Sequence, residues 1–217
     1  MADQPALAGF EALVPTDVGD ELDYWETPRS AIEPIVPILR ARLRDRPAHY
    51  LLDPGCGRGN ILVELAGALE SKEVHGVELH PERARQARSR VSPFGRVHEA
   101  DFLDPSFMGH WRQLFCDPPT LAGGNPPYTK PRETIGLEFI EQSIRCAEPD
   151  GIVALLLPLD FATGVERTAR VHAKHEGALY PLRFRPSFSG DGAGGQRPVA
   201  WFIWDLARPY SEWRVIG

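Results

Sequence analysis

Short apolar runs alternate with amphipathic stretches along most of the chain. The apolar runs predict strands at residues 49–53, 74–80, 96–104, 151–161, 178–188 and 197–206. Apolar residues at helical spacing predict helices at 30–44, 61–70, 81–90 and 134–147. The run at 151–161 (GIVALLLPLDF) is apolar throughout, as expected for a strand covered on both faces. Residues 105–121 show neither the strand period nor the helix period, and we expect them to be irregular.

Strands that alternate with helices predict an α/β fold with an open, mostly parallel sheet and helices on both faces. The last two strands are joined by the glycine-rich loop SGDGAGGQ without a helix, so we expect them to run antiparallel at one edge. Residues 1–20 are polar and acidic and are predicted to form a loose arm. Residues 21–217 contain neither a repeat nor a composition break, which predicts a single domain.

The composition restricts the setting of this domain. The three cysteines have no metal-ligand spacing, which favours a reducing compartment and predicts no disulfide framework and no metal site. The first residues lack the pattern of a signal peptide, and no apolar stretch is long enough to span a membrane, so we expect a cytoplasmic protein. The net charge of −6 is unusual for a protein that binds duplex DNA. Arginine clusters at 40–46 and 83–90 offer local basic patches, although a solvated helix face is the more usual explanation of each.

A glycine-rich turn, LLDPGCGRGN, follows the first predicted strand and opens a helix. Gly55, Gly57 and Gly59 allow a sharp turn and a close approach of the backbone to a ligand. The helix that begins there offers unpaired N–H groups. The G-x-G-x-G spacing differs from the dinucleotide fingerprint, and the chain lacks the triphosphate loop G-x-x-x-x-G-K-[ST].

Acidic residues fall at the ends of the first three predicted strands. Asp53 ends the first strand and Glu78 the second, where a carboxylate suits the two hydroxyls of a ribose. Asp101 ends the third and can accept a hydrogen bond from an exocyclic amine such as that of adenine. Phe102 beside it can pack on a ring. One such acid is an ordinary loop cap, but three beside a glycine turn predict a ligand site.

The segments LLDPGCGRGN, GVELHP and EADF together resemble motifs I to III of class I S-adenosylmethionine-dependent methyltransferases. The resemblance implies a Rossmann-like, seven-stranded, mostly parallel sheet with an antiparallel edge strand. It also implies S-adenosyl-L-methionine as cofactor, with Asp53, Gly55 and Gly57 around its methionine part, Glu78 on the ribose and Asp101 on the adenine. The neighbouring Cys56, Leu79 and Phe102 complete that predicted site.

Upstream, DYWETPRSAI is similar to a Tyr-x-Thr-Pro segment of some DNA adenine methyltransferases that closes over the methionine end of the cofactor. This implies cofactor contacts from Tyr24, Thr27 and Pro28, whereas an ordinary aromatic staple at a helix start is the alternative. The tail is similar to the closing hairpin of phage-type adenine methyltransferases. The resemblance spans roughly residues 22–205 and leaves no room for a large target-recognition domain, so a separate specificity subunit is a possible partner.

Proline and glycine around NPPY (125–128) first suggest a turn. The motif nevertheless matches the (Asp/Asn/Ser)-Pro-Pro-(Tyr/Phe/Trp) signature of methyltransferases that modify a nitrogen conjugated to a π system. The Asn125 oxygen and the Pro126 carbonyl can each accept one N–H of such an amine, and they favour a tetrahedral nitrogen. Tyr128 can stack on a planar substrate. NPPY lies at the end of what would be the fourth strand, so we expect Asn125 to face the same crevice as the cofactor. CDPPT (116–120) lacks the aromatic residue and is interpreted as loop.

The leading prediction is direct methyl transfer to adenine N6 in DNA, with base flipping or a single-stranded substrate. RNA N-methylation and protein glutamine N5-methylation share the NPPY core and stay open as alternatives. A non-catalytic cofactor-binding subunit is the alternative of another class. The sequence leaves the oligomeric state open.

Overall fold

A computed structural model describes residues 26–46, 50–114, 119–128, 133–188 and 197–217. The seven strands in these residues are β1 (Tyr50–Asp53), β2 (Glu73–Glu78), β3 (Arg96–Glu99), β4 (Leu121–Gly124), β5 (Ile152–Pro158), β6 (Ala178–Pro181) and β7 (Val199–Asp205). The helices are α1 (Arg29–Ile32), α2 (Val36–Leu43), α3 (Asn60–Leu69), α4 (Pro81–Val91), α5 (Phe107–Leu114), α6 (Ile135–Ala147) and α7 (Val165–Arg167). A 3₁₀ turn, Glu33–Ile35, separates α1 from α2, and a second, Leu159–Ala162, follows β5. A π-helical turn, Thr168–His172, follows α7.

The seven described strands form one sheet in the order β3-β2-β1-β4-β5-β7-β6. Neighbours from β3 to β5 pair in parallel, and β7 pairs antiparallel with both β5 and β6. The predicted α/β fold with a seven-stranded, mostly parallel sheet is confirmed. The antiparallel strand itself, β7, lies one position inside the edge, because β6 occupies the edge.

Both faces of the sheet are covered, as the apolar strands predicted. On one face, β-strand residues such as Leu51 and Val74 pack against α1 to α4 in a single buried cluster. On the other face, α6 and the turns after β5 cover β4, β5 and β7, while α5 covers β1 to β3. Side chains of β5 alternate between the two faces, which explains its unbroken apolar sequence.

Three local predictions need correction. The segment expected to be irregular contains α5, whose Phe107 and Trp111 are buried one turn apart. The third strand stops at Glu99, so Asp101 lies in the turn beyond it. The first helix is interrupted by the 3₁₀ turn that contains Pro34, since proline at an interior position removes a helical hydrogen bond.

Other predictions lie beyond what the structure describes. The acidic arm at 1–20 falls outside the described residues, and the single domain at 21–217 stays a prediction. No helix within the described ranges combines the length and the apolar character that crossing a membrane requires.

Candidate active site

A crevice opens where β1, β2 and β4 end, at the carboxyl edge of the parallel part of the sheet. This is the place where open α/β sheets bind ligands. Most residues predicted to contact a cofactor line this one crevice: Thr27, Asp53, Gly55, Cys56, Gly57, Glu78, Leu79, Asp101, Phe102 and Asn125. The topology thus brings together residues from five separate segments of the chain.

Glu78 is a buried carboxylate at the end of β2, and its side chain is 7% exposed. Its Oε2 accepts the backbone N–H of Gly57 at 2.8 Å, and its Oε1 accepts that of His80 at 2.9 Å. Burial raises its pKa, while these N–H groups and Arg83 oppose the rise. A carboxylate offers about four acceptor positions, so two backbone bonds leave capacity for the two hydroxyls of a ribose.

Asp53 lies at the end of β1 and is 1% exposed. Its Oδ1 accepts the Gly55 N–H at 3.2 Å, which belongs to the glycine turn. Burial raises the pKa of Asp53 to about 8 in spite of this bond, and the nearby Glu78 adds to the rise. A Cβ placed on Gly124, the last residue of β4, would overlap Asp53 Oδ1. The absence of a side chain at 124 therefore lets the ends of β1 and β4 approach each other.

The glycine turn is built from left-handed backbone. Gly57 has φ 53° and Gly59 φ 85°, a region that favours glycine. The N–H of Cys56, between Gly55 and Gly57, donates to the Val77 carbonyl at 2.9 Å, which ties the turn to β2. The Cys56 thiol is buried, and burial raises its pKa well above the usual range. It is therefore a packing residue in the crevice floor and not a thiolate nucleophile.

Asp101 and Phe102 form the wall beyond β3. Asp101 Oδ1 accepts the Leu103 N–H at 2.8 Å, which fixes the turn. The Phe102 ring is 2% exposed and contacts Phe107 and Phe139 at centroid distances of 5.1 and 5.4 Å. Phe102 thus combines a lining position with a core role.

The segment before α1 lies against the opposite rim. Asn60, the first residue of α3, donates to Glu26 Oε1 at 2.9 Å and to the Thr27 carbonyl at 3.2 Å. Glu26 also pairs with Arg58 at 3.5 Å. Pro28 stands at the N-cap of α1, adjacent to the lining residues. Tyr24 falls outside the described residues.

Asn125 extends from the end of β4 and holds its amide between two hydroxyls. Its Nδ2 donates to Thr27 Oγ1 at 2.9 Å, and its Oδ1 accepts a hydrogen bond from the Tyr128 hydroxyl. The Tyr128 oxygen lies 3.3 Å from the Leu156 carbonyl, and its ring lies 6.4 Å from that of Phe161. Pro127 lines the crevice, and Pro126 is buried. The hydrogen bonds that join the Asn125 amide to Thr27 and Tyr128 were not predicted.

Several residues that line the crevice were not predicted as site residues from the sequence. They are Glu26, Pro54, Arg58, Asn60, Ile61, Arg83, Ala100, Leu103, Pro127, Ile135 and Phe139. Asn60 could have been found as the first residue of a helix after a glycine turn. Phe139 and Ile135 could not, because only the packing of α6 brings them to the crevice. In the part of the chain that the structure describes, no three His, Cys, Asp or Glu side chains are grouped as a metal site.

Comparison with known proteins reveals relatives among methyltransferases. No protein-family model matches the sequence. The chain is 33% identical over 108 residues to the release factor glutamine methyltransferase of Vibrio cholerae, which covers 47% of this chain and 36% of that protein. It is 30% identical over 172 residues to the tRNA1(Val) (adenine(37)-N6)-methyltransferase of Yersinia pestis, covering 70% of this chain and 64% of that protein. The chain thus spans less than two thirds of either relative.

Solved structures show the same fold. A class I S-adenosylmethionine-dependent methyltransferase from Listeria monocytogenes superposes with a TM-score of 0.67 at 19% identity, over 92% of this chain and 67% of that one. The type I restriction-modification methyltransferase subunit of Streptococcus thermophilus gives a TM-score of 0.70 at 16% identity, over 87% and 46%. The chain therefore has the fold of the class I S-adenosylmethionine-dependent methyltransferases. The resemblance to this class inferred from the sequence is confirmed, and S-adenosyl-L-methionine is the cofactor that the class uses.

Proposed function

We propose that this chain is an S-adenosylmethionine-dependent amino-methyltransferase that acts on N6 of adenine in DNA. The observation that carries the proposal is the position of Asn125. Its amide lies at the rim of the same crevice that holds Asp53 and Glu78, and its oxygen accepts from Tyr128. An amide oxygen has two lone pairs, so one remains for an N–H of the acceptor amine.

The crevice residues fit the cofactor. Glu78 would hold the ribose hydroxyls, Asp101 the adenine amine, and the glycine turn with Asp53 the methionine part. Burial raises the pKa of both carboxylates, and Arg83 offsets part of the rise at Glu78. A cationic ligand would further favour the ionised form of both groups. S-adenosylmethionine supplies a methyl group activated by a positive sulfur.

The NPPY residues would activate the acceptor. An exocyclic amine on adenine is a weak nucleophile because its lone pair is delocalised into the ring. Asn125 Oδ1 and the Pro126 carbonyl would each accept one N–H, which holds the nitrogen in a tetrahedral geometry with its lone pair towards the methyl group. Tyr128 would stack on the base, and its hydroxyl bond to Asn125 would orient the ring. The step is a direct displacement and needs no thiolate, in agreement with the buried Cys56.

DNA is favoured by the motifs around the crevice and by the fold of type I restriction-modification methyltransferases. The base must leave the duplex to reach Asn125, or the substrate must be single-stranded. Sequence recognition would come from loops or from a separate specificity subunit.

RNA is the second candidate acceptor, and one observation favours it. Sequence similarity to the tRNA adenine-N6 methyltransferases extends over 172 residues, which is more of this chain than the 108 residues shared with the glutamine methyltransferase. Both candidates require the same amine and the same Asn125 chemistry. They differ only in the polymer that carries the base.

Nucleoside mass spectrometry tests the proposal. The protein and S-adenosylmethionine that carries a deuterated methyl group are incubated together with one acceptor at a time. The three acceptors are unmethylated DNA, total RNA and a glutamine-containing protein fraction. Each sample is then digested and analysed. Labelled N6-methyldeoxyadenosine is the expected product. Labelled ribonucleosides alone would move the acceptor to RNA, and labelled glutamine alone to protein.

A binding measurement separates the non-catalytic alternative. Calorimetry with S-adenosylmethionine and with its demethylated product should give binding in the micromolar range or tighter. Binding without transfer to any of the three acceptors would contradict the proposed activity and favour a cofactor-binding subunit.

A further inference from the structure

The side chain of Thr27 reaches the amide of Asn125 from a distant part of the sequence. Thr27 is 4% exposed, and its Oγ1 accepts the Asn125 Nδ2–H at 2.9 Å. The sequence resemblance implies a cofactor contact for Thr27. The structure gives it a direct bond to the side chain on which the proposed chemistry depends.

The two ends of the Asn125 amide meet two different hydroxyls. A phenol is the more acidic hydroxyl and therefore the better donor, whereas an alcohol oxygen is the better acceptor. The observed arrangement uses both preferences, because Tyr128 donates to Oδ1 and Thr27 accepts from Nδ2. The pair therefore favours the amide orientation in which the oxygen, and not the NH₂ group, faces the Tyr128 side.

Thr27 is itself held in place by the rim of the crevice. Its carbonyl accepts from Asn60 Nδ2 at 3.2 Å, and the adjacent Glu26 carboxylate accepts from the same group at 2.9 Å. Arg90 donates to the other end of the Asn60 amide and to the Arg58 carbonyl, which fixes the start of α3. The Thr27 hydroxyl thus stands at a defined position relative to the glycine turn.

We propose that Thr27 is a positioning residue that keeps the Asn125 oxygen directed at the methyl acceptor. This inference rests on the proposed function of Asn125. Without the hydroxyl, Nδ2 loses its partner, and the flipped amide would present N–H groups to an amine that needs an acceptor. Flipped molecules would be unreactive while cofactor binding would continue.

Thr27→Val tests the inference, because valine keeps the shape and removes the hydroxyl. We expect kcat to fall about tenfold to a hundredfold, with the Kd for S-adenosylmethionine within about threefold of the original. Thr27→Ser restores the hydroxyl and should return kcat to within about threefold of the original. Ser143→Ala is the matched control, since it deletes a buried hydroxyl of α6 that has no hydrogen-bond partner among the described residues.

A second readout does not depend on turnover. In ¹⁵N-labelled protein, the Asn125 side-chain NH₂ signal is identified by its loss in Asn125→Ala. It should shift in Thr27→Val and stay in place in Thr27→Ser and Ser143→Ala.

The outcomes separate the two proposals. An unmodified protein that methylates none of the three acceptors would overturn the proposed function, and the positioning role with it. An active protein whose Thr27→Val variant keeps its kcat, or whose Thr27→Ser variant stays as slow as valine, would overturn the positioning role alone. If Thr27→Val weakened the binding of S-adenosylmethionine as much as it lowered kcat, Thr27 would be a cofactor-binding residue and not a positioning residue.

Discussion

Two buried polar clusters lie on neighbouring strands, one on β1 and β2 and the other on β2 and β3, and they differ in what surrounds them. At the carboxyl ends, Asp53 and Glu78 are almost fully buried yet border an open crevice. Further back, His75 and His98 are 2% and 5% exposed and share a hydrogen bond of 2.9 Å between Nδ1 and Nε2. Tyr50 and Trp111 close over this histidine pair with ring centroids between 5.1 and 5.8 Å.

Both clusters have strongly shifted pKa values, but they border different spaces. The carboxylates line the crevice at the carboxyl ends of the strands, whereas His75 borders only a separate cavity where β2 and β3 begin. Burial raises the pKa of Asp53 to about 8 and lowers those of His75 and His98 to about 3. A shifted pKa therefore marks burial, and only its combination with an open crevice indicates a functional site. The histidine pair is a packing feature of the face that α5 covers.

The largest expected effect concerns the reacting amide at the crevice. Asn125→Ala should lower kcat at least about a hundredfold, because the acceptor amine loses a hydrogen-bond acceptor aligned for the transition state. Binding of S-adenosylmethionine, followed by calorimetry, should change little. His98→Phe is the control from the closed cluster and should leave kcat unchanged. If His98→Phe lost as much activity as Asn125→Ala while the two variants were equally folded, the crevice could not be distinguished from the histidine pair by function.

The next effect concerns the cofactor. Glu78→Gln should weaken binding of S-adenosylmethionine about tenfold to a hundredfold, because the amide replaces one acceptor oxygen by an N–H donor. Glu99→Gln is a matched control, since Glu99 is the register partner of Glu78 on β3 but pairs with Arg88 at 3.4 Å. Titration calorimetry at pH 7 compares them. Equal losses of affinity in both variants would contradict a specific role for Glu78.

The pH dependence of stability should have opposite signs in the two clusters. The folded-state pKa of His75 and His98 lies near 3, below the ordinary 6.5, so the unfolded chain binds more protons between these values. The contribution of the two histidines to the stability of the fold is present above pH 6.5 and is lost as pH falls towards 3. Asp53 has a pKa raised from 3.8 to about 8, so its burial favours folding at low pH, and stability is lost as pH rises through that range.

Urea unfolding between pH 4 and 8.5 measures these slopes. His98→Phe should reduce the loss of stability that accompanies falling pH below 6.5, by on the order of a few kcal/mol. Asp53→Asn should reduce the loss of stability that accompanies rising pH between 3.8 and about 8, by a similar amount. If His98→Phe left the pH dependence of the unfolding free energy unchanged below pH 6.5, the histidine pair would not take up protons on unfolding.

The smallest effect concerns the packing that brings β1 and β4 together. Gly124→Ala should destabilise the protein by about 1–3 kcal/mol, because the new Cβ overlaps the Asp53 carboxylate. Gly109→Ala in α5 has no atom within 4 Å of the added Cβ and should be stabilising by up to about 1 kcal/mol. Thermal unfolding compares the two variants. A stable Gly124→Ala with full cofactor affinity would mean that the strand ends tolerate separation.

The sequence by itself determined the order of the elements and the carboxylates at the strand ends. Strand and helix periods are local properties, and Asp53 and Glu78 follow directly from where β1 and β2 stop. The helix α5 was missed because it is short and lies within residues 105–121, which show no clear period. The NPPY motif was found from four consecutive residues, and its chemistry stays a prediction.

Only the tertiary structure decided which distant side chains share hydrogen bonds. Thr27 and Asn125 are far apart in the chain, and their contact depends on how α1 and β4 pack around the same crevice. The partnership of His75 with His98 likewise depends on the parallel register of β2 and β3. Local sequence patterns carry no information on such distances, because the energy that fixes them comes from burial of the whole core and not from the residues that meet.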